Sequence, residues 1–158
     1  MSTPFKKVYE AFLDKVTDDM YVELTPQDTE KDLQAILLSA IPKFEFPKKP
    51  LTYEKQMTEE TDTSFFVEDL DIEEINILAN LMLLGWLQRQ ITSIDNTRQK
   101  YYGESFKLTS QAAHLKTLIS LKEDVVKDDR HLQRLYRRRK VDKNGKIVSA
   151  WQDFNSYN

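Results

Sequence analysis

Along most of the chain apolar residues recur three and four positions apart, so most of it is expected to be helical. Phe5, Val8, Tyr9, Phe12 and Val16 form the first such stripe. Thr3-Pro4 ahead of it reads as a helix start, because a hydroxyl can accept from free helix N–H groups and Pro suits the first helical position. Residues 20–24 read as an extended link. Thr25-Pro26-Gln27-Asp28 then repeats the start signal, with an acid three residues beyond the cap. Leu33, Ile36, Leu37, Ala40 and Ile41 make the second stripe, which Pro42 ends.

Between residues 42 and 67 the period changes. PKFEFPKKPLTYE holds three prolines with Phe44 and Phe46 in alternation, a pattern for extended chain at an edge and against a central strand. The acidic stretch 54–64 reads as a loop. Phe65-Phe66-Val67 is expected to pair with the Phe44 region as a minor two-stranded β element.

The best-marked helix starts after Asp71. With Asp71 as cap, Glu74 holds the capping-box position, while Leu70 and Ile75 hold the two positions of a hydrophobic staple. From Ile72 to about Tyr101 there is no Pro, so a helix of ~30 residues and ~45 Å is expected. Ile75, Leu78, Met82 and Trp86 repeat along one face, and Leu81, Leu84, Leu87, Ile91 and Ile94 widen it. Apolar residues nearly encircle the first half, which places it at the centre of a helix cluster, with Trp86 and the aromatics Tyr9 and Phe12 in the core. Gly103 fits the stop. Thr109 or Ser110 can cap a second long helix carrying Ala112, Leu115, Leu118, Ile119, Val125, Leu132, Leu135 and Tyr136 as far as about Arg138. Joined by the short YGESFKL, the two should form an antiparallel hairpin. Beyond them KVDKNGKIV carries Asn-Gly between apolar strands, the strongest short hairpin signal. The expected fold class is therefore mainly α: a small helical bundle over residues 1–139 with a long antiparallel helix hairpin, and an extended C-terminal hairpin and arm over 140–158.

Composition narrows the functions open to this fold. The chain has 158 residues, no Cys and only three Gly. Disulfides, thiolate chemistry and Cys-based zinc sites are excluded, and an intracellular or redox-indifferent setting is the simpler expectation. The N-terminal MSTPFKKVYE lacks a signal peptide's apolar segment, and the apolar run at 81–87 falls well short of the ~20 residues of a membrane span. His114 and His131, the two imidazoles, lie ~25 Å apart on one helix and cannot share a metal. No HExxH, phosphate loop or GxSxG occurs. Glu59-Glu60 and Glu73-Glu74 are explained by a solvated loop and a helix first turn. No catalytic residue, metal or cofactor is expected, and the chain reads as a non-enzyme.

Charge changes the picture more. The net charge of −3 hides nine acidic residues against Lys55 alone in 54–74, and nine basic against three acidic in 127–146. Such blocks are solvated faces or complementary patches that register copies of one protein against each other. Arg130, Arg134, Arg137 and Arg138, at helical spacing, form a basic stripe late in the second long helix, suited to the helix dipole, to phosphate or to a neighbour's carboxylates. Arg139 and Lys140 continue it. Trp151 and Phe154 then stand in the polar tail as candidate anchors on another protein. The partner-binding candidates are thus Arg134, Arg137, Arg138, Arg139, Lys140, Trp151 and Phe154.

The runs LDIEEINILANLMLLGWLQRQITSIDNTRQKYY and SQAAHLKTLISLKEDVVKDDRHLQRLYRRR resemble small virion proteins of tailed phages infecting Firmicutes, of the head-tail connector (neck or adaptor) kind. The resemblance covers roughly residues 33–140 and rests on the acidic loop, the IEEINILANLM helix start, the WLQRQI segment and the terminal RLYRRR. It implies a structural protein of the virion, assembled in the host cytoplasm. Its partners would be further copies of itself in a ring, usually of twelve, with a terminal arm reaching the portal protein or a neighbouring neck or tail protein. Non-specific contact with packaged DNA is compatible with that place, and no membrane is involved. Adaptor, stopper and tail terminator stay open as the particular ring. The alternative is a non-enzymatic DNA-binding or regulatory helical protein that uses the basic stripe of residues 130–140.

Overall fold

A computed structural model describes residues 2–16, 26–58, 61–100, 105–141 and 147–149, with backbone alone at 26–27, 97–100, 105–111, 141, 147 and 149. The order is β1 (Thr3–Pro4), α1 (Phe5–Leu13), α2 (Pro26–Ala40), a 3-10 turn (Ile41–Lys43), β2 (Tyr53–Glu54), β3 (Phe65–Phe66), α3 (Ile72–Lys100), α4 (Ser105–Arg138), β4 (Arg139–Val141) and β5 (Ile147–Ser149). The fold is mainly α, as the helical spacing predicts.

α3 is the axis. α1, α2 and α4 all pack against it, and residues 77–83 are buried without a break. At its start Asp71 N–H donates to Glu74 Oε2 at 2.8 Å, so the capping box closes from the glutamate side, while the Asp71 carboxylate pairs with Lys49 Nζ at 3.1 Å. α4 runs antiparallel to α3: Tyr136 meets Glu74 near one end and Lys122 meets Gln88 further along. The 29 and 34 residues of the two helices span about 43 and 51 Å. α4 begins at Ser105, ahead of the expected caps Thr109 and Ser110, because no Pro or Gly stands between 105 and 138 to delay it.

The β elements differ most from expectation. Phe65–Phe66 does not pair with the Phe44 region but lies between two other strands, giving a three-stranded antiparallel sheet in the order β1-β3-β2. Phe44 is claimed by the core, where its ring meets Tyr136 at 5.5 Å edge-to-face. Thr3 does not cap α1. It is a buried strand residue whose hydroxyl accepts from Leu70 N–H at 2.8 Å, fixing the N-terminus to the entry of α3. The described part of the acidic 54–64 stretch, which leaves out residues 59–60, is more ordered than a loop. β2 opens it, Met57 bridges Asp62, and Asp62 accepts from Tyr9 (2.6 Å) and Gln34 (3.1 Å), which tie it to α1 and α2. Burial first, and then this bond to Asp62, hold the Tyr9 hydroxyl far above the usual tyrosine range. The expected C-terminal hairpin forms, with Lys140 opposite Val148 and Val141 opposite Ile147. Its Asn-Gly turn and the link at 20–24 lie outside the described residues. Trp86 is half-buried at the edge of the core rather than inside it.

Candidate interaction surface

The proline-rich segment after the 3-10 turn cannot join a sheet centre, having lost N–H donors at Pro47 and Pro50. It crosses the last turns of α4 as a strap. Glu45 N–H donates to Gln133 Oε1 at 3.1 Å and Lys48 N–H to the Tyr136 hydroxyl at 2.8 Å. That hydroxyl in turn donates to Glu74 Oε1 at 2.6 Å. Glu74 is fully buried, so strap, α4 and α3 are joined through one carboxylate. Burial, and after it the bond to Glu74, raise the Tyr136 hydroxyl above its usual range. Burial lowers Lys48, whose ammonium lies 4.3 Å above the Tyr136 ring. Burial alone would also lower Lys49, but its bonds to Asp71 and Glu74 outweigh this and raise it.

The alternation of Phe44 and Phe46 sends one ring inward and the other outward. Between them and α4 lies an open groove of about 440 Å³ walled by Phe44, Phe46 and Tyr136. Its rim carries Lys127, Arg130, Arg134 and Arg137, spaced three, four and three along α4 so that they share one side. Phe46 is 56% exposed, and the Arg137 guanidinium stands 4.5 Å over its ring. Among the described residues none of Arg130, Arg134 or Arg137 has a carboxylate within ion-pair distance, while Lys127 reaches only Asp124, one turn back, at 3.7 Å. The cation rim continues along α4, through Lys127 and Arg130, into a second trough of about 410 Å³ beside Ile91, Ile119 and Val126.

The expected partner-binding residues divide accordingly. Arg134 and Arg137 line the groove. Arg138 is exposed. Arg139 leaves the rim and pairs with Glu73 at the start of α3. The acidic and basic blocks thus meet within a single chain at Arg139–Glu73, although Glu54, Glu68 and Asp69 form no ion pair among the described residues. Lys140 sits in β4 opposite Val148. Trp151 and Phe154 lie outside the described residues. Phe44, Phe46 and Tyr136, absent from the sequence-based set, supply the groove's apolar wall. The in-and-out Phe44–Phe46 alternation is the signal that could have found them.

No group of three His, Cys, Asp or Glu side chains able to hold a metal occurs among the described residues. His114 and His131 are both exposed on α4. Asp129, on the strap side of α4, is buried, with Oδ2 accepting from Gln133 Nε2 at 2.7 Å and Oδ1 without a partner among the described residues. Its burial raises the carboxyl above the ordinary range; the Gln133 bond opposes this and the Glu45 charge adds to it. No helix among the described residues is long and apolar enough to cross a membrane. Such a surface can bind an anionic partner by stacking and paired hydrogen bonds. Comparison with known protein families, with curated proteins and with solved structures gave no match.

Proposed function

We propose that this chain is a non-enzymatic structural subunit that assembles with copies of itself into a ring at the head-tail junction of a tailed phage, between portal and tail. One observation carries the reading beyond the sequence resemblance. A helix hairpin holds three arginines that, among the described residues, lack carboxylate partners, beside an exposed aromatic. Arginine and aromatic side chains are the types that dominate protein–protein hot spots, and here they are mounted on a rigid element. The resemblance of residues 33–140 to neck proteins supplies the setting.

A second reading is favoured by the same cations: Arg130, Arg134 and Arg137 could take the phosphates of DNA. The net charge of −3 counts against a dedicated DNA binder. The test is the solution mass of the full-length protein, alone and with portal protein at physiological salt, beside a titration of duplex DNA over a range of salt. A ring-sized particle or a stable portal complex is expected. A monomer that ignores portal but binds duplex with a steep salt dependence would overturn the reading.

A further inference from the structure

The groove's natural complement is present on the same molecule. The β2–β3 lobe bears Glu54, Glu68 and Asp69, whose carboxylates form no ion pair among the described residues. Between them it exposes large apolar side chains: Tyr53 at 39%, Met57 at 38% and Val67 at 46%. β2 is also one of the two edge strands of its sheet. The groove presents a largely reversed arrangement, an exposed Phe46 within a rim of Lys127, Arg130, Arg134 and Arg137 that outnumber its one acidic residue, Glu45. Lobe and groove share no residue. Asp62 is bound to Tyr9 of α1 and Gln34 of α2, and the Asp69 carbonyl accepts from Lys49 Nζ at 2.6 Å, so the lobe is tied to its own chain's helices and to the strap, while none of its carboxylates pairs with a cation of its own groove among the described residues.

We propose that the acidic β2–β3 lobe of one copy seats in the basic, aromatic groove between the strap and α4 of the next. This rests on the ring reading above and names its contact. Because the two patches differ, the interface is heterologous, and repetition of such a contact closes a ring or extends a filament, whereas a self-complementary patch stops at a dimer. Opposite charge around an apolar centre sets register and speeds encounter. The arrangement also assigns a use to the open side of Phe46, whose ring meets the Arg137 guanidinium, and to the guanidinium groups of Arg130, Arg134 and Arg137, which have no carboxylate within ion-pair distance among the described residues. Arg139 takes no part, since Glu73 of its own chain already neutralises it.

Charge reversal tests the contact in the full chain, read by sedimentation velocity with circular dichroism as the control for folding. R130E/R134E should lose assembly at concentrations where the wild-type protein is assembled, and so should E54K/E68K. Mixing the two variants in equal amounts should restore it, because an intact lobe then meets an intact groove and a reversed lobe meets a reversed groove. Wild-type assembly that survives in R130E/R134E, or a mixture of folded variants that stays monomeric, overturns the lobe-in-groove contact while leaving the ring reading standing. If R130E/R134E loses only duplex DNA binding and assembles normally, the groove is a phosphate site and the proposal fails. Wild-type protein that stays monomeric at every concentration, alone and with portal, removes both this contact and the ring reading.

Discussion

α3 and α4 lie side by side and differ by five residues in length, yet they are buried in opposite ways. Residues 77–83 of α3 are all buried, because α1, α2 and α4 pack around that half. α4 packs mainly on α3; among its described residues only Leu115, Leu118, Asp129 and Tyr136 are buried, while Ile119 and Leu121 remain over 40% exposed. A helix with three neighbours has to be apolar around its circumference, whereas one with a single neighbour needs only a stripe. The remaining face of α4 is free to carry cations. Stability is thus concentrated in α3 and display in α4, and the clearest candidate surface is found on the helix that contributes less to the core.

The sharpest way to break this contrast is to truncate one side chain on each helix. Leu78→Ala, at a fully buried position of α3, should cost about 2–5 kcal/mol in denaturant melts, the usual range for a core leucine. Ile119→Ala on α4, at 41% exposure, should stay within about 0.5 kcal/mol of wild type. Equal losses would show that α4 is as buried as α3 in the working protein. Tyr136→Phe comes next, since it cuts the link between the helices. It leaves Glu74 Oε1 without its donor in a fully buried site and Lys48 N–H without its acceptor. A loss of about 1–3 kcal/mol is expected; no change would mean that water replaces the hydroxyl and that the strap is held elsewhere.

The parts legible in the sequence were those set by near neighbours. The Asp71–Glu74 box and the two long helices depend on residues three or four apart; α3 stands where the spacing puts it, with the box closed from its glutamate side, and α4 ends where expected but starts earlier, at Ser105. The β partners depend on distant choices. Thr3 looks like a cap until Leu70, 67 positions away, takes its hydroxyl. Phe65–Phe66 had several extended segments to choose from, and Phe44 was withdrawn from the competition by the Tyr136 ring. The candidate surface divides along the same line. Arg130, Arg134 and Arg137 show their shared side through spacing alone. Phe46 joins them only because the strap, held by Gln133 and Tyr136 some 88 positions on, lays it against α4.

A smaller effect sharpens the description of α3. Gly85 lies inside this helix facing α2, and a Cβ there would meet Ile36 Cγ2 and Ser39 Oγ at 3.8 Å, ordinary contact distances. Gly costs roughly 0.5–1 kcal/mol in a helix interior relative to Ala. Gly85→Ala should therefore raise stability by about that amount in urea melts. A loss instead would show α2 closer to α3 than these distances allow.

Asp129 offers the finest test, read as a slope rather than a size. It is the buried carboxylate of the helix that otherwise keeps its charges in water, with one oxygen unpartnered and the Glu45 charge nearby. Its carboxyl therefore titrates above the ordinary 3.8 in the folded chain. Below pH 3.8 folded and unfolded chains both hold the proton, and the group adds nothing to the pH dependence. Between 3.8 and the raised folded value the folded chain alone keeps it, so stability falls as pH rises through that window and the cost is full at neutral pH. Asp129→Asn cannot titrate, and its carbonyl can still accept from Gln133. The variant should gain on the wild type as pH is raised from about 4 to 7, with the difference growing across the window and then constant. Parallel stability curves for the two proteins over that range would mean that Asp129 is solvated, and that α4 is no exception to its own pattern of exposed charge.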